Sequence, residues 1–181
     1  MWDKILLLAM DVDGVLTDGT IEYRSNGTDS KRFHTADGLG IVLARLAGLR
    51  VAWISGKASM AVERRAAELS VDRLGQGIRD KKRALHEIQA GWGISIAETV
   101  YIGDDWNDLP AFEAAGVKVA VATAADLVKQ RADYITERTG GQGAVREVID
   151  LILARHIAQE KLVENYLNSL IIREDSQTGA Q

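Results

Sequence analysis

The feature that most constrains this chain is the alternation of short, continuous apolar runs with amphipathic stretches. Short runs over residues 5–10, 51–54, 99–102, 117–121 and 134–136 read as strands, with a brief one near Arg73-Leu74, and the continuous apolar ones suit burial on both faces. Helical periodicity fills the intervals, over 40–48, 59–69, 81–90, 109–115 and 126–132. Strand, helix and strand in repetition predict an α/β fold, a parallel sheet covered by helices on both faces. One segment departs from the pattern. Across residues 20–34 two polar, β-prone runs flank Ser25-Asn26-Gly27, and Asn-Gly is a strong tight-turn signal, so a β-hairpin is expected directly after the first strand. The single proline, Pro110, falls at a helix's first turn, where a missing N–H costs little.

Composition bounds the function. A chain of 181 residues, 46% apolar and 27% charged, is long enough for one globular domain with a real core. A net charge of -4 argues against a nucleic-acid or anionic-membrane partner, so an anionic substrate would need locally arranged cations. The absence of cysteine excludes disulfides, thiolate catalysis and cysteine-ligated zinc. The opening run over 5–10 is too short to span a bilayer and lacks a cleavage pattern, so a cytoplasmic location is expected.

The chemistry emerges when the strand ends are taken together, because ligands of parallel α/β sheets bind beyond the carboxyl ends of the strands. The first strand ends in Asp11-Val12-Asp13-Gly14, and the run over 51–54 ends in Ser55-Gly56-Lys57. Asp80-Lys81-Lys82 precedes a helix, and the run over 99–102 ends in Gly103-Asp104-Asp105-Trp106-Asn107-Asp108. Taken singly, each cluster is an ordinary solvated turn. All of them in this order, at the same sheet edge, predict one pocket.

The stretch Asp11 to Gly19 (DVDGVLTDG) resembles the first motif of the haloacid dehalogenase superfamily. Ser55, Lys81 and Gly103-Asp104-Asp105-x-x-Asp108 are similar to its remaining motifs. Within the superfamily the chain is most similar to the capless 3-deoxy-D-manno-octulosonate 8-phosphate phosphatases. The supporting stretches are Asn26-Gly27, Phe33 through Asp37-Gly38-x-Gly40-Ile41, Gly75-Gln76-Gly77 and Gly140-Gly141-Gln142-Gly143-Ala144-Val145-Arg146-Glu147. The resemblance covers residues 5–153. It implies a Rossmann-like parallel sheet without a cap domain over residues 1–154. Residues 155–181 reach beyond the family core and are expected to form a helical extension, with a polar, disordered tail over 175–181. Apolar residues Leu162, Val163, Tyr166, Leu167 and Leu170 at helical spacing support that helix.

The residue chemistry points the same way. Phosphate-monoester hydrolysis is among the slowest uncatalysed reactions, so charge must be neutralised and a nucleophile held in place. A carboxylate can attack phosphorus and form an aspartyl-phosphate, the role expected of Asp11. Asp13, two residues on, is placed to protonate the leaving alcohol and then deprotonate water. Carboxylates this close to a phosphoryl group require a hard cation, and magnesium suits oxygen ligands. The resemblance implies metal ligation by Asp11, the Asp13 carbonyl and Asp104, with Asp108 direct or through water. Asp105 is expected to orient the metal ligands or to be purely structural. Ser55 would donate to a phosphoryl oxygen, and Lys81 would neutralise charge and hold Asp11. In the family the lysine follows a Gly-x-x-Asp/Asn pattern, here Gly77-Ile78-Arg79-Asp80, so the resemblance implies Lys81 and not Lys82. His86 and His156 are expected to be structural, Trp53 core, and Trp106 at the pocket's edge or packed beneath its loop.

Asp13 argues against dehalogenase chemistry, and the absence of room for a cap argues against phosphomutases and phosphonatases. A non-catalytic phosphate-binding or assembly module is the rival from another class. Relatives usually carry arginine where Ala36 and Lys57 stand, and lysine lacks the bidentate fork that suits a carboxylate. Thr35-Ala36-Asp37 looks closer to phosphatases of nine-carbon ulosonic acid 9-phosphates. The expected substrate is therefore the terminal phosphate of an eight- or nine-carbon 2-keto-3-deoxy sugar acid, leaning to the octulosonate. Ser55 and Gly56 would meet it at the phosphate, with Thr35, Lys57 and Arg65 toward the sugar acid. The resemblance also implies a homotetramer joined through the hairpins.

Overall fold

The computed structural model describes residues 1–178 apart from Asn26 and Thr28, with side chains described as far as residue 171. Its centre is β1 (Leu7–Met10), every residue of which is buried. β4 (Arg50–Ile54) and β6 (Thr99–Gly103) flank it in parallel, in register from Leu7 opposite Arg50 and Thr99. β5 (Arg73–Gly75) extends one side, and β7 (Val117–Ala120) and β8 (Tyr134–Ile135) the other. The six-stranded sheet has the order β5-β4-β1-β6-β7-β8 and is parallel throughout. Each predicted apolar run forms one of these strands.

Two groups of helices bury the sheet. α1 (Thr35–Leu46), α6 (Ala144–His156) and α7 (Gln159–Thr178) pack together. α3 (Lys81–Trp92) packs on the short α4 (Leu109–Phe112), which meets α5 (Asp126–Arg131). α2 (Met60–Glu68) follows β4. The core is one cluster running from Ile5 to Leu162, with Trp53 and Tyr101 among its largest buried side chains. No inserted domain interrupts the order between Asp11 and Ser55, which holds the hairpin and α1, or between Ser55 and Asp104. Among the described residues no helix is long and apolar enough to cross a membrane.

Two boundaries differ from expectation. α1 begins at Thr35, not at residue 40, because Gly38 and Gly40 serve packing and not a turn. A Cβ on Gly38 would lie 2.2 Å from Arg65 Nη2, and one on Gly40 would lie 2.9 Å from Arg146 Cδ. α6, not among the predicted helices, carries the chain across the expected boundary at residue 154 and ends at His156. α7 then runs to Thr178, so residues 175–178 of the expected disordered tail are helical, and 179–181 lie outside the described residues.

The hairpin is real but short. β2 (Glu22–Tyr23) and β3 (Asp29–Ser30) pair antiparallel, while Asn26 of the expected turn lies outside the described residues. Its exit is pinned where Phe33 stacks on Trp53, centroids 6.3 Å apart and 15° between planes. His34 then caps α1, its Nδ1 accepting the Ala36 N–H at 3.3 Å.

Candidate active site

β1 delivers Asp11 to the carboxyl edge of the sheet, where its N–H donates to the Ile102 carbonyl at 3.0 Å. The chain then turns sharply, with the N–H groups of Leu16 and Thr17 donating to the Val12 carbonyl. Gly14 sits in that turn at φ +84°, and a Cβ there would fall 1.9 Å from Asp104 Oδ2. Glycine is required on both counts. From the other side Gly140 presses so close that a Cβ would lie 1.7 Å from the Gly14 carbonyl oxygen, and the Gly141 N–H donates to Val15 O at 2.9 Å.

Lys81 is the first residue of α3, whose cap Asp80 accepts the Arg83 N–H at 3.0 Å. Its side chain is buried, and Nζ lies 2.7 Å from both Asp11 Oδ2 and Asp108 Oδ1. Asp108 Oδ1 also accepts from the Tyr101 hydroxyl at 2.8 Å, and its Oδ2 takes the N–H groups of Asp104 (2.9 Å) and Asp105 (3.3 Å). Asp105 caps the 3-10 turn Trp106–Asp108 by accepting the Trp106 N–H, and Trp106 itself is exposed. Lys82 points away to Glu113 at 2.6 Å. His86 meets Gln89 and His156 the Trp2 carbonyl, both structural contacts.

Asp11, Asp104 and Asp108 offer carboxylate oxygens all within 4.8 Å of one another, and Asp104 Oδ1 is buried without a partner among the described residues. Burial, followed by the charge of Asp108, pushes Asp11 up to about 7 against the opposing pull of Lys81. Burial and the charges of Asp108 and Asp11 push Asp104 up to about 8. Burial works against the charge of Lys81, but Asp108 and Asp11 outweigh it and hold its pKa above the ordinary value. Three crowded carboxylates facing one ammonium leave room for more positive charge, and an all-oxygen donor set fits a hard divalent cation.

The remaining expected residues do not join that cluster. Asp13 Oδ1 pairs with Lys31 Nζ from the hairpin's end. The buried Ser55 hydroxyl donates to the Lys57 carbonyl at 3.0 Å and accepts the Lys57 N–H at 3.2 Å. Gly56, between them, follows the end of β4. Lys57 Nζ donates to the Tyr23 hydroxyl at 2.7 Å and lies 4.5 Å from that ring's centroid. Arg65 pairs with Glu68 at 3.2 Å across Gly38, its Nε buried without a partner among the described residues. Thr35 is exposed at the start of α1. Sequence reasoning missed Lys31 and Tyr101. The signal for Tyr101 was its hydroxyl inside an apolar run two residues before Gly103. For Lys31, beside Arg32 in a polar stretch, no pattern existed.

A carboxylate at the end of an inner strand of a parallel sheet, steadied by a lysine beside a cation pocket, agrees with the haloacid dehalogenase-like hydrolases, whose family pattern residues 71–149 match. The 3-deoxy-D-manno-octulosonate 8-phosphate phosphatase of Escherichia coli K12 is 44% identical over 90% of this chain and 85% of its own length. That of Haemophilus influenzae is 42% identical over 83% of this chain and 84% of its own. The crystal structure of the Moraxella catarrhalis phosphatase in complex with magnesium ion, phosphate ion and KDO matches at TM-score 0.87 and 41% identity, covering 91% of this chain and 95% of that one. The chain belongs to the 3-deoxy-D-manno-octulosonate 8-phosphate phosphatase family.

Proposed function

We propose that the protein is a magnesium-dependent phosphatase that removes the terminal phosphate of 3-deoxy-D-manno-octulosonate 8-phosphate. The observation that carries this is the buried Asp11, held by Lys81 and facing the Asp104 and Asp108 carboxylates. The cation would be held by Asp11, Asp104, Asp108 and the Asp13 carbonyl, and would supply positive charge against the phosphoryl oxygens. Asp11 attacks phosphorus through one carboxylate oxygen while the bond from phosphorus to the sugar oxygen breaks and Asp13 gives that oxygen a proton. Water then attacks the aspartyl-phosphate, Asp13 takes the water's proton, and Asp11 is restored. Lys81 holds Asp11 in place and neutralises charge throughout. The Ser55 hydroxyl, rotated from the Lys57 carbonyl, donates to a phosphoryl oxygen.

Gly56 and Lys57 line the phosphate end, and Thr35, Lys57 and Arg65 read the sugar acid. Lys57 must leave Tyr23 to do so. The enzyme works in the cytoplasm as a homotetramer in which neighbouring hairpins meet and cover one another's open sites. The test compares catalytic efficiency, with magnesium, on the octulosonate 8-phosphate, a nine-carbon ulosonic acid 9-phosphate, glucose 6-phosphate and a nucleotide monophosphate. The octulosonate ester is expected to lead. Preference for a carboxylate-free ester would overturn the sugar-acid assignment. Asp11→Asn should leave the fold intact and abolish turnover with all of them. Substantial hydrolysis by that variant would overturn the phospho-enzyme mechanism.

A further inference from the structure

Lys31 is a buried charge that the reaction above does not use. Its side chain is 0% exposed, at the end of the hairpin, and its ammonium meets Asp13 Oδ1, whose own side chain is 24% exposed. A lysine is almost never fully buried unless paired, because stripping water from an ammonium is costly. Among the described residues Asp13 is the partner found for it, and the Asp13 carboxylate makes no other hydrogen bond with them. Asp108, by contrast, is gripped from four sides, by Lys81, Tyr101 and two backbone N–H groups. The direction of the Asp13 carboxylate therefore depends on one lysine, and the lysine depends on the hairpin. That hairpin is anchored at several points: Phe33 on Trp53, Arg32 to Asp18 at 3.3 Å, and Tyr23 to Lys57.

We propose that Lys31 is a positioning residue for Asp13. Its ammonium takes Oδ1 and leaves Oδ2 for the proton that passes to the leaving sugar oxygen and is recovered from water. Lys31 itself neither gains nor loses a proton. The proposal rests on the acid/base role given to Asp13 above.

The test uses leaving groups that differ in their need for a proton. Lys31→Met removes the cation while keeping the stem, and Lys31→Arg keeps charge and donor. On the sugar-acid phosphate, whose alkoxide must be protonated, Lys31→Met should lower kcat about tenfold or more with KM within about twofold. With p-nitrophenyl phosphate the first step needs no acid, so a burst of about one nitrophenolate per active site should precede slow turnover. Lys31→Arg should restore most of the rate, and Lys31→Met added to Asp13→Asn should cost nothing more. Thermal melts check folding, and if the Met variant does not fold, Lys31→Gln is judged by the same criteria. Wild-type kcat in Lys31→Met, further loss on the Asp13→Asn background, or weakened inhibition by inorganic phosphate would each overturn the proposal. The wild-type enzyme separates the two claims. No hydrolysis by wild type overturns the phosphatase reading and this proposal together, whereas normal wild-type turnover with an unaffected Lys31→Met overturns this one alone.

Discussion

At the scale of residues, the site is governed by crowding. With Asp11 raised to about 7 and Asp104 to about 8, the folded chain binds protons there that the unfolded chain has released at ordinary carboxylate values. A group whose folded pKa is raised in this way costs stability as pH climbs from the unfolded value through the folded one. The metal-free protein should therefore lose stability between about pH 4 and about pH 8 from these two groups, and a bound divalent cation should offset the loss. Magnesium is expected to raise Tm more at about pH 8.5 than at about pH 6, where protons compete for the same oxygens. An equal shift at both values would argue against ligation by Asp11 and Asp104. Chelator should abolish turnover, and calcium, with its longer and more numerous bonds, should restore it poorly. Gly14→Ala is expected to be inactive, since its Cβ would land 1.9 Å from an Asp104 oxygen in a left-handed backbone. A variant with normal magnesium-dependent kcat would show that Asp104 need not sit where it does. Asp11, Lys81, Asp104 and Asp108 were legible in the chain because each stands at or just beyond the boundary of a regular element at one sheet edge. Lys31 was not, since a hairpin places its side chains by turn geometry and leaves no periodic trace.

Elements differ in how plainly the sequence announces them. The inner strands β1, β4, β6 and β7 could be read because burial on both faces demands continuous apolar residues, whereas the short edge strands β5 and β8, part-exposed, were read from their place in the strand–helix alternation. The start of α1 could not be read. Gly38 and Gly40 look like turn residues until Arg65 and Arg146 are seen against them. Asp37 shows what the first turn is for. Buried in α1, it accepts the N–H groups of Gly143 (3.3 Å) and Arg146 (2.7 Å), caps the start of α6 from outside, and so ties two helices. Asp37→Ala strands one buried and one part-buried donor and should cost about 2–4 kcal/mol, read as a lower urea midpoint at unchanged m-value. A change under about 0.5 kcal/mol would mean that water replaces the carboxylate without loss. Asp72 performs a similar task at β4, taking the Val51 N–H at 2.9 Å together with Arg45 and Arg50. Burial works to raise its pKa, yet these donors win and hold it below the ordinary value. Its contribution is present above the unfolded pKa and fades as pH falls through the folded one, so Asp72→Asn should destabilise at neutral pH and less in acid. An equal penalty in urea titrations at about pH 7 and about pH 3 would contradict that linkage.

For the whole molecule, an uncapped site and a two-stranded hairpin with unpaired edges both call for a neighbour. Light scattering at working concentration is expected to give four chains, and a fully active particle of one chain's 19.7 kDa would refute the assembly. α7 offers a second exposed surface in Val163, Leu167 and Leu170, which the spacing of its apolar residues foretold, although its length was not. The close approach of Gly140 and Gly141 to the loop after Asp11 has a consequence in time. The ribosome releases the nucleophile early and the segment that seats its loop more than a hundred residues later. At ordinary synthesis rates the interval is roughly ten seconds. In its last part, once Asp108 has been added, the nascent chain carries all three acidic ligands but lacks the clamp made by Gly141 and, through Asp37, by Gly143 and Arg146. A half-made chain is thus an incomplete site exposed to cellular metal and phosphate esters, and it is completed only once residues 140–146 have left the ribosome. Chains arrested on the ribosome with residues 140–146 still inside the tunnel should show no phosphatase activity, and those arrested well beyond should.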